Sequence, residues 1–121
     1  AEKGNIEAAR TRYHDTLAWR AKHKIDTILN EPFPNFSSIK QNYLHYHHLR
    51  GFNGELCYYE ILGKTNIAAL RKKCGLSIDR LLRYYTLVCE FTWEVLAKSD
   101  ENARSIYIMD LSGIQPWDFA G

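Results

Sequence analysis

The strongest periodic pattern in the chain lies between residues 78 and 97. Apolar side chains recur there every three or four positions, which is the spacing of one face of an α-helix. This first stripe contains Ile78, Leu81, Leu82, Tyr85, Val88, Cys89, Thr92 and Leu96, and a second stripe beside it contains Tyr84, Leu87, Phe91 and Val95. The combined arc is wider than one contact with a sheet requires. It has two interpretations: the helix packs between a sheet and other helices, or part of its surface lines an apolar cavity.

Weaker patterns predict three further helices. Each begins or ends at a residue type that stabilises a helix terminus. An apolar segment at 25–29 is expected to stop before two prolines, because each proline moves its predecessor out of helical geometry. The predicted helices and their terminal residues are 5–23 (Asn5), 36–43 (Asn35), 66–74 (Gly75, after its end) and 78–97 (Ser77).

Two strand-like stretches, 44–50 and 56–61, predict a β-hairpin. The turn between them contains the pair Asn53-Gly54, which adopts positive φ at low cost. Residues 105–109 form a mostly apolar run, and Asp110 follows it directly. A continuous apolar run predicts a strand covered on both faces, as in a parallel sheet. With the helix before it, this strand fits a right-handed crossover onto the hairpin.

These elements predict an α/β fold with an incomplete sheet. An inner parallel strand needs neighbours on both edges and helices on both faces, and three strands with two substantial helices cannot supply them. We expect an N-terminal helical segment over residues 1–43. Over 44–121 we expect the first part of a larger α/β domain, with the hairpin, helices and an inner parallel strand. The alternative is a partner chain that completes the sheet.

Composition and charge narrow the classes of function. The 121 residues, 45% hydrophobic and 25% charged, are typical of one globular domain or part of one. The longest apolar run is far shorter than the ~20 residues that span a bilayer. A net charge of +2, evenly mixed along the chain, does not favour a nucleic-acid partner. The run Arg71-Lys72-Lys73 is interpreted as a solvated helix face.

Motifs for catalysis or metal binding are not found in the sequence. The three cysteines form no C-x-x-C pair and are interpreted as reduced, small apolar residues. His45 and His47 would share one face of a strand, but no third ligand accompanies them, so we expect no metal site. Ser105 has no base nearby in sequence, so no catalytic residue is assigned. Asp110 follows a predicted strand, where α/β domains often place functional groups, but we favour its interpretation as a loop cap or a partner of a lysine. Glu60 has no evident partner.

Tyrosine is more frequent than phenylalanine, eight residues against five. Several tyrosines lie on segments that are otherwise apolar, and a buried tyrosine needs a partner for its hydroxyl. Two interpretations follow: ordinary core tyrosines, or rings that line an apolar pocket while their hydroxyls hold a head group. The tyrosines concerned are Tyr43, Tyr46, Tyr58, Tyr59, Tyr84, Tyr85 and Tyr107.

Four stretches resemble a known family in their order and spacing. They are Trp19-Arg20; residues 45–64, H-Y-H-H-L-R-G-F-N-G-E-L-C-Y-Y-E-I-L-G-K; residues 81–85, L-L-R-Y-Y, continuing to Glu90 and Trp93-Glu94; and residues 106–114, I-Y-I-M-D-L-S-G-I. Over about residues 11–115 the chain resembles the CRAL-TRIO lipid-binding domain, in the branch of phosphatidylinositol/phosphatidylcholine transfer proteins. The resemblance implies an N-terminal helical segment and an α/β domain whose sheet forms the floor of a deep apolar pocket.

The resemblance also implies a head-group site. In transfer proteins of this family, phosphocholine contacts an aromatic residue on each hairpin strand and hydroxyls on the later strand. Tyr58 matches the second-strand aromatic, and Ser105 matches a strand hydroxyl. His47 stands where the first-strand tyrosine is expected, with Tyr46 beside it, and Tyr107 stands in place of a threonine. These five residues are the predicted lipid-binding residues.

The function implied by the resemblance is not enzymatic. It is the binding, and the transfer between membranes, of a phosphatidylinositol- or phosphatidylcholine-like phospholipid or another small hydrophobic molecule. Apart from that lipid no cofactor is implied, and we expect a cytoplasmic location with transient contact to membrane surfaces. The family's gating helix has no counterpart in the 121 residues, so we expect a fragment. The alternative is an accessory subunit that uses a truncated fold to dock other protein chains.

Overall fold

The computed structural model describes residues 4–98 and 102–114 of the chain. Two compact units divide the chain, Ala1–Pro32 and Phe33–Gly121. The functional division between residues 43 and 44 stays a prediction. Within the described residues, no helix combines the length and the apolar character that crossing a bilayer requires.

The first unit consists of α1, Ile6–Lys22, and a short 3-10 helix, Ile25–Asn30. The side chain of Asn5 accepts a hydrogen bond of 3.0 Å from the backbone N–H of Ala8. This bond satisfies one of the free N–H groups in the first turn and confirms the predicted N-terminal cap. None of the side chains of α1 is buried.

The second unit contains the other helices and all the strands of the described residues. In chain order these are α2 (Phe36–Asn42), β1 (His45–Arg50), β2 (Leu56–Ile61), a 3-10 turn (Leu62–Lys64), α3 (Ile67–Lys72), α4 (Ile78–Phe91), a π-helical turn (Thr92–Leu96) and β3 (Ser105–Asp110). The mixed α/β fold confirms the predicted fold class.

The three strands form one sheet in the order β1-β2-β3. β1 and β2 are antiparallel, as the hairpin prediction requires, and Gly54 in their turn has a φ of +89°. β3 runs parallel to β2, as the predicted crossover requires, and the right-handed sense of the connection stays a prediction. All six residues of β3 are exposed, and within the described part of the chain β3 pairs only with β2. The sheet is therefore incomplete, as predicted.

The rotation of α4 differs from the one that its first apolar stripe indicates. Ile78 and Leu82 from that stripe are 77% and 59% exposed, whereas Tyr84 from the second stripe is fully buried. The ring of Tyr84 packs against Phe33, and its hydroxyl lies 2.9 Å from Nε2 of His45. Because this buried polar pair needs both partners, it sets which face of α4 enters the core. The core cluster is Ile39, Tyr43, Leu70, Cys74 and Tyr84.

The helix termini follow the predictions in two cases and differ in a third. Ser77 caps α4 by accepting a hydrogen bond of 3.3 Å from Arg80 N–H, and Gly75 after α3 has a φ of +57°. The prediction that the side chain of Asn35 caps α2 is wrong. Asn35 has a φ of +60°, and its Nδ2 donates instead to the backbone oxygen of Cys74 at 3.1 Å. The side chain thus ties two loops together.

Candidate functional site

The three strands bring four of the five predicted site residues onto one face of the sheet. His47 on β1, Tyr58 on β2 and Tyr107 on β3 are direct neighbours in the register of the sheet. Ser105 lies two residues before Tyr107 and therefore on the same face. The ring centres of His47 and Tyr58 are 4.9 Å apart, and Tyr58 and Tyr107 stack at 5.3 Å with 12° between their planes.

Tyr46 lies on the opposite face. It neighbours Tyr59 in the register, and the two rings stack at 5.2 Å with 16° between their planes. Successive side chains of a strand point to opposite faces, so Tyr46 and His47 cannot both face the same site. A role of Tyr46 in lipid binding stays a prediction that this placement does not explain.

The face that carries His47 and Tyr58 borders an open cavity of about 260 Å³. Residues from the sheet, from α4 and from the π-helical turn line it. Both interpretations of the apolar arc therefore hold in part, since Tyr84 enters the core while Tyr85 and Val88 line the cavity. The lining residues are His47, Tyr58, Tyr85, Val88, Cys89, Thr92, Trp93, Ser105 and Tyr107.

The π-helical turn places Thr92 against the cavity. The Thr92 hydroxyl donates to the backbone oxygen of Val88 at 2.8 Å, so at 3.0 Å it accepts from Nε2–H of His47. Ala97 N–H donates to the backbone oxygen of Thr92 at 3.0 Å, and a bond between residues five positions apart defines a π-helix. Such turns are frequent at functional sites. The sequence did not indicate this pairing, although a hydroxyl within an apolar stripe was a signal for it.

Glu60 has two partners that the sequence did not indicate. The residue is 2% exposed, and the hydroxyls of Tyr43 and Tyr85 both donate to its Oε1, the latter at 2.9 Å. The pKa of the Tyr43 hydroxyl is raised above its usual value. The main cause is burial, and the second is its hydrogen bond to Glu60. Tyr85 also lines the cavity, so this network links β2 and α4 beside it.

The Tyr58 hydroxyl is buried and has no hydrogen-bond partner among residues 4–98 and 102–114. Burial raises the pKa of this hydroxyl, and the neighbouring Tyr43 hydroxyl offsets part of the rise. A buried polar atom without a partner is rare and costly. Tyr58 also lines the cavity, so the residue with this unpaired hydroxyl belongs to the cavity wall.

The cavity lining is uncharged at neutral pH. Burial, followed by the nearby Lys40 ammonium, lowers the pKa of His47, and partial burial raises the pKa of the Cys89 thiol. His45 and His47 bond to different hydroxyl groups, and no cluster of three or more His, Cys, Asp or Glu side chains able to hold a metal occurs in the described ranges.

Asp110 accepts from Ser112 N–H at 2.8 Å, which confirms its interpretation as a loop cap.

No family model matches the chain. The chain is similar to a lipid transfer protein. The relative is the phosphatidylinositol/phosphatidylcholine transfer protein SFH9 of Arabidopsis thaliana, with 27% identity over 127 residues. The alignment covers 98% of this chain and 21% of the relative, so the chain spans about a fifth of the relative's length. This similarity agrees with the branch that the motifs indicated, and membership of the CRAL-TRIO family stays a prediction.

One electrostatic prediction concerns His45 at the inner end of β1. Burial, followed by the Lys40 ammonium, lowers the pKa of His45 from 6.5 to about 4. As the pH falls, the imidazole of His45 therefore takes up a proton in the unfolded chain before it does so in the folded chain. The free energy of unfolding that neutral His45 contributes is complete above pH 6.5 and is lost as the pH falls toward 4. We expect wild type to lose about 2 to 3 kcal/mol from this group.

The measurement is urea unfolding across this pH range for wild type and for His45→Gln. Glutamine can still bond the Tyr84 hydroxyl but does not titrate, so other acidic and basic groups cancel in the difference between the two curves. The prediction fails if the two proteins lose stability in parallel.

Proposed function

We propose that this chain binds a lipid in the cavity between its sheet and α4. The observation that carries the proposal is Tyr58, which lines an aromatic, uncharged cavity and whose buried hydroxyl has no hydrogen-bond partner within the described residues. A molecule with an apolar body and one hydrogen-bonding end matches such a lining. His47 and Ser105 lie close enough along the same wall to orient that end.

The similarity to a phosphatidylinositol/phosphatidylcholine transfer protein supports the proposal and narrows the ligand. We propose a chain of the CRAL-TRIO type that carries such a phospholipid, or another small hydrophobic molecule, between membranes without changing it chemically. It would act in the cytoplasm and contact membranes transiently. The cavity of about 260 Å³ is smaller than the roughly 300–1,000 Å³ that encloses drug-sized ligands, so it would hold one end of the lipid.

The substitution Tyr58→Phe tests the proposal. We expect about tenfold weaker binding of fluorescent phosphatidylcholine and phosphatidylinositol, because one hydrogen bond to the ligand is lost. We expect no loss of folding stability, since the hydroxyl that is removed has no partner among the described residues. Lipid titration and urea unfolding measure the two effects separately, and native mass spectrometry identifies any lipid that is purified with the chain.

Tyr59→Phe is the matched control. It removes the same atom from the next residue of β2, on the face away from the cavity, and is expected to leave lipid binding unchanged. If Tyr58→Phe lowers stability and leaves both probe lipids bound as before, the hydroxyl serves the core and the proposed site is wrong.

The exposure of β3 favours a second candidate function. All six of its residues are exposed, and one edge has no strand partner in the described part of the chain. A strand edge of this kind can pair with another chain. An accessory subunit that docks through β3 would fold without taking up either probe lipid, and its β3 amides would resist hydrogen exchange only when a partner protein is bound.

A further inference from the structure

α3 has one buried face and one exposed cationic face. Ala69 and Leu70 are buried, whereas Ile67 is 63% exposed. Residues four apart are neighbours on a helix, so the basic side chains at 71 and 72 lie beside the exposed residues at 67 and 68. We call the following residues the α3 surface: Ile67, Ala68, Arg71, Lys72 and the adjoining Lys73.

The three cations of the α3 surface have no counter-ion in the folded chain as described. Arg71, Lys72 and Lys73 are all exposed, and within residues 4–98 and 102–114 no hydrogen bond or ion pair engages their side chains. Their charges are therefore available to an external partner. The run lies at the C-terminal end of α3, where the helix dipole favours cations, so a purely structural role predicts a small loss of stability when they are removed.

The sequence on either side of α3, and the helix α2, add no negative charge. Residues 61–78 contain no Asp or Glu, and α2, which packs against α3, contains none either. Lys64, three residues before the start of α3, is a further exposed cation of this stretch, although its charge interacts with the Asp110 carboxylate at the end of β3. Although the whole chain carries a net charge of only +2, this part of it is uniformly cationic. Such a patch attracts anionic surfaces over about one Debye length.

We propose that the α3 surface docks the protein on membranes that contain anionic phospholipids. The cations approach the negatively charged head groups, and the exposed Ile67 side chain enters the interface between them. A bilayer accepts both the charges and the apolar side chain, whereas a nucleic-acid backbone offers nothing comparable to Ile67. The α3 surface shares no residue with the cavity, so this docking does not depend on whether the cavity binds lipid.

Vesicle binding tests the proposal directly. The triple variant Arg71→Gln, Lys72→Gln and Lys73→Gln is expected to bind phosphatidylcholine vesicles with added phosphatidylserine about 100-fold more weakly than wild type. Binding by wild type is expected to weaken as salt rises and to be far weaker when phosphatidylserine is omitted. Ile67→Ser is a second variant, and it is expected to lower binding while it leaves the dependence on salt unchanged.

The matched control is Arg10→Gln, Lys22→Gln and Lys24→Gln, which changes net charge equally in the first unit. We expect this variant to bind the anionic vesicles as wild type does. Equal loss in both triple variants, equal binding to vesicles without phosphatidylserine, or tighter binding to an RNA or DNA oligonucleotide than to the vesicles would each overturn the proposal. A thermal melt of every variant separates loss of binding from loss of folding.

Discussion

Replacement of Tyr84 by alanine is expected to lower the free energy of unfolding by about 4 kcal/mol. Tyr84 is fully buried, and its ring lies 5.3 Å from that of Phe33 and 6.4 Å from that of Tyr43. The truncation leaves a cavity at the centre of the core cluster and removes the hydroxyl that pairs with His45. Urea unfolding followed by circular dichroism measures the loss.

Two further variants separate the causes of this effect. Tyr84→Phe keeps the ring and removes only the hydrogen bond to His45, so it is expected to cost about 1 to 3 kcal/mol. Leu82→Ala truncates an apolar side chain on the same helix that is 59% exposed, and it is expected to cost less than about 1 kcal/mol. A loss at Tyr84 no larger than that at Leu82 would show that α4 is rotated differently.

The second large effect is expected for Gly63→Ala. A Cβ atom built on Gly63 would overlap the backbone oxygen of Ser112 and lie 2.8 Å from its carbonyl carbon, so the turn after β2 and the segment after β3 would have to separate. The obstacle is backbone, which cannot move aside as a flexible side chain can. We expect a loss of about 3 kcal/mol in the same unfolding measurement.

Gly75→Ala is the control for this prediction. Gly75 has a φ of +57°, but a Cβ atom there would meet only Arg80 Nη1, at 3.8 Å. Its expected cost is therefore the conformational strain alone, about 1 kcal/mol. If alanine costs as little at Gly63 as at Gly75, the close approach of Gly63 to Ser112 is not present in solution.

The contrast between these two glycines shows what a local sequence pattern can predict and what it cannot. Gly75 follows an apolar helical segment, and that position alone predicts a residue with positive φ. For Gly63 the pattern indicates only a break in the chain. Its close approach to Ser112 depends on β3 pairing in parallel with β2, which brings together segments about fifty residues apart. No local pattern carries that information.

The candidate site divides in the same way. Tyr58, His47, Ser105 and Tyr107 could be named in advance because they lie on predicted strands, at positions where the resembled family has head-group contacts. Tyr58 and Ser105 match the residue types expected there, and His47 and Tyr107 do not. The pairing of Thr92 with His47 joins residues 45 positions apart, and the contact of Tyr43 with Glu60 joins residues 17 apart. The first contact depends on how the helical segment around Thr92 lies above the sheet, and the second on how Tyr43, which precedes β1, packs against β2.

Local sequence was enough to define the helices and the hairpin, because turn residues, caps and apolar spacing act between neighbours in the chain. The apolar run of β3 predicted a parallel strand, but not which distant residues the pairing would bring together. Packing in three dimensions was needed to bring Tyr84 into the core and turn Tyr85 toward the cavity. Packing also gave Glu60 its hydrogen bonds and left the Tyr58 hydroxyl without one among the described residues. When two faces of a helix are equally apolar, the need of buried polar groups for hydrogen-bond partners determines which face enters the core. Those partners come from distant parts of the chain.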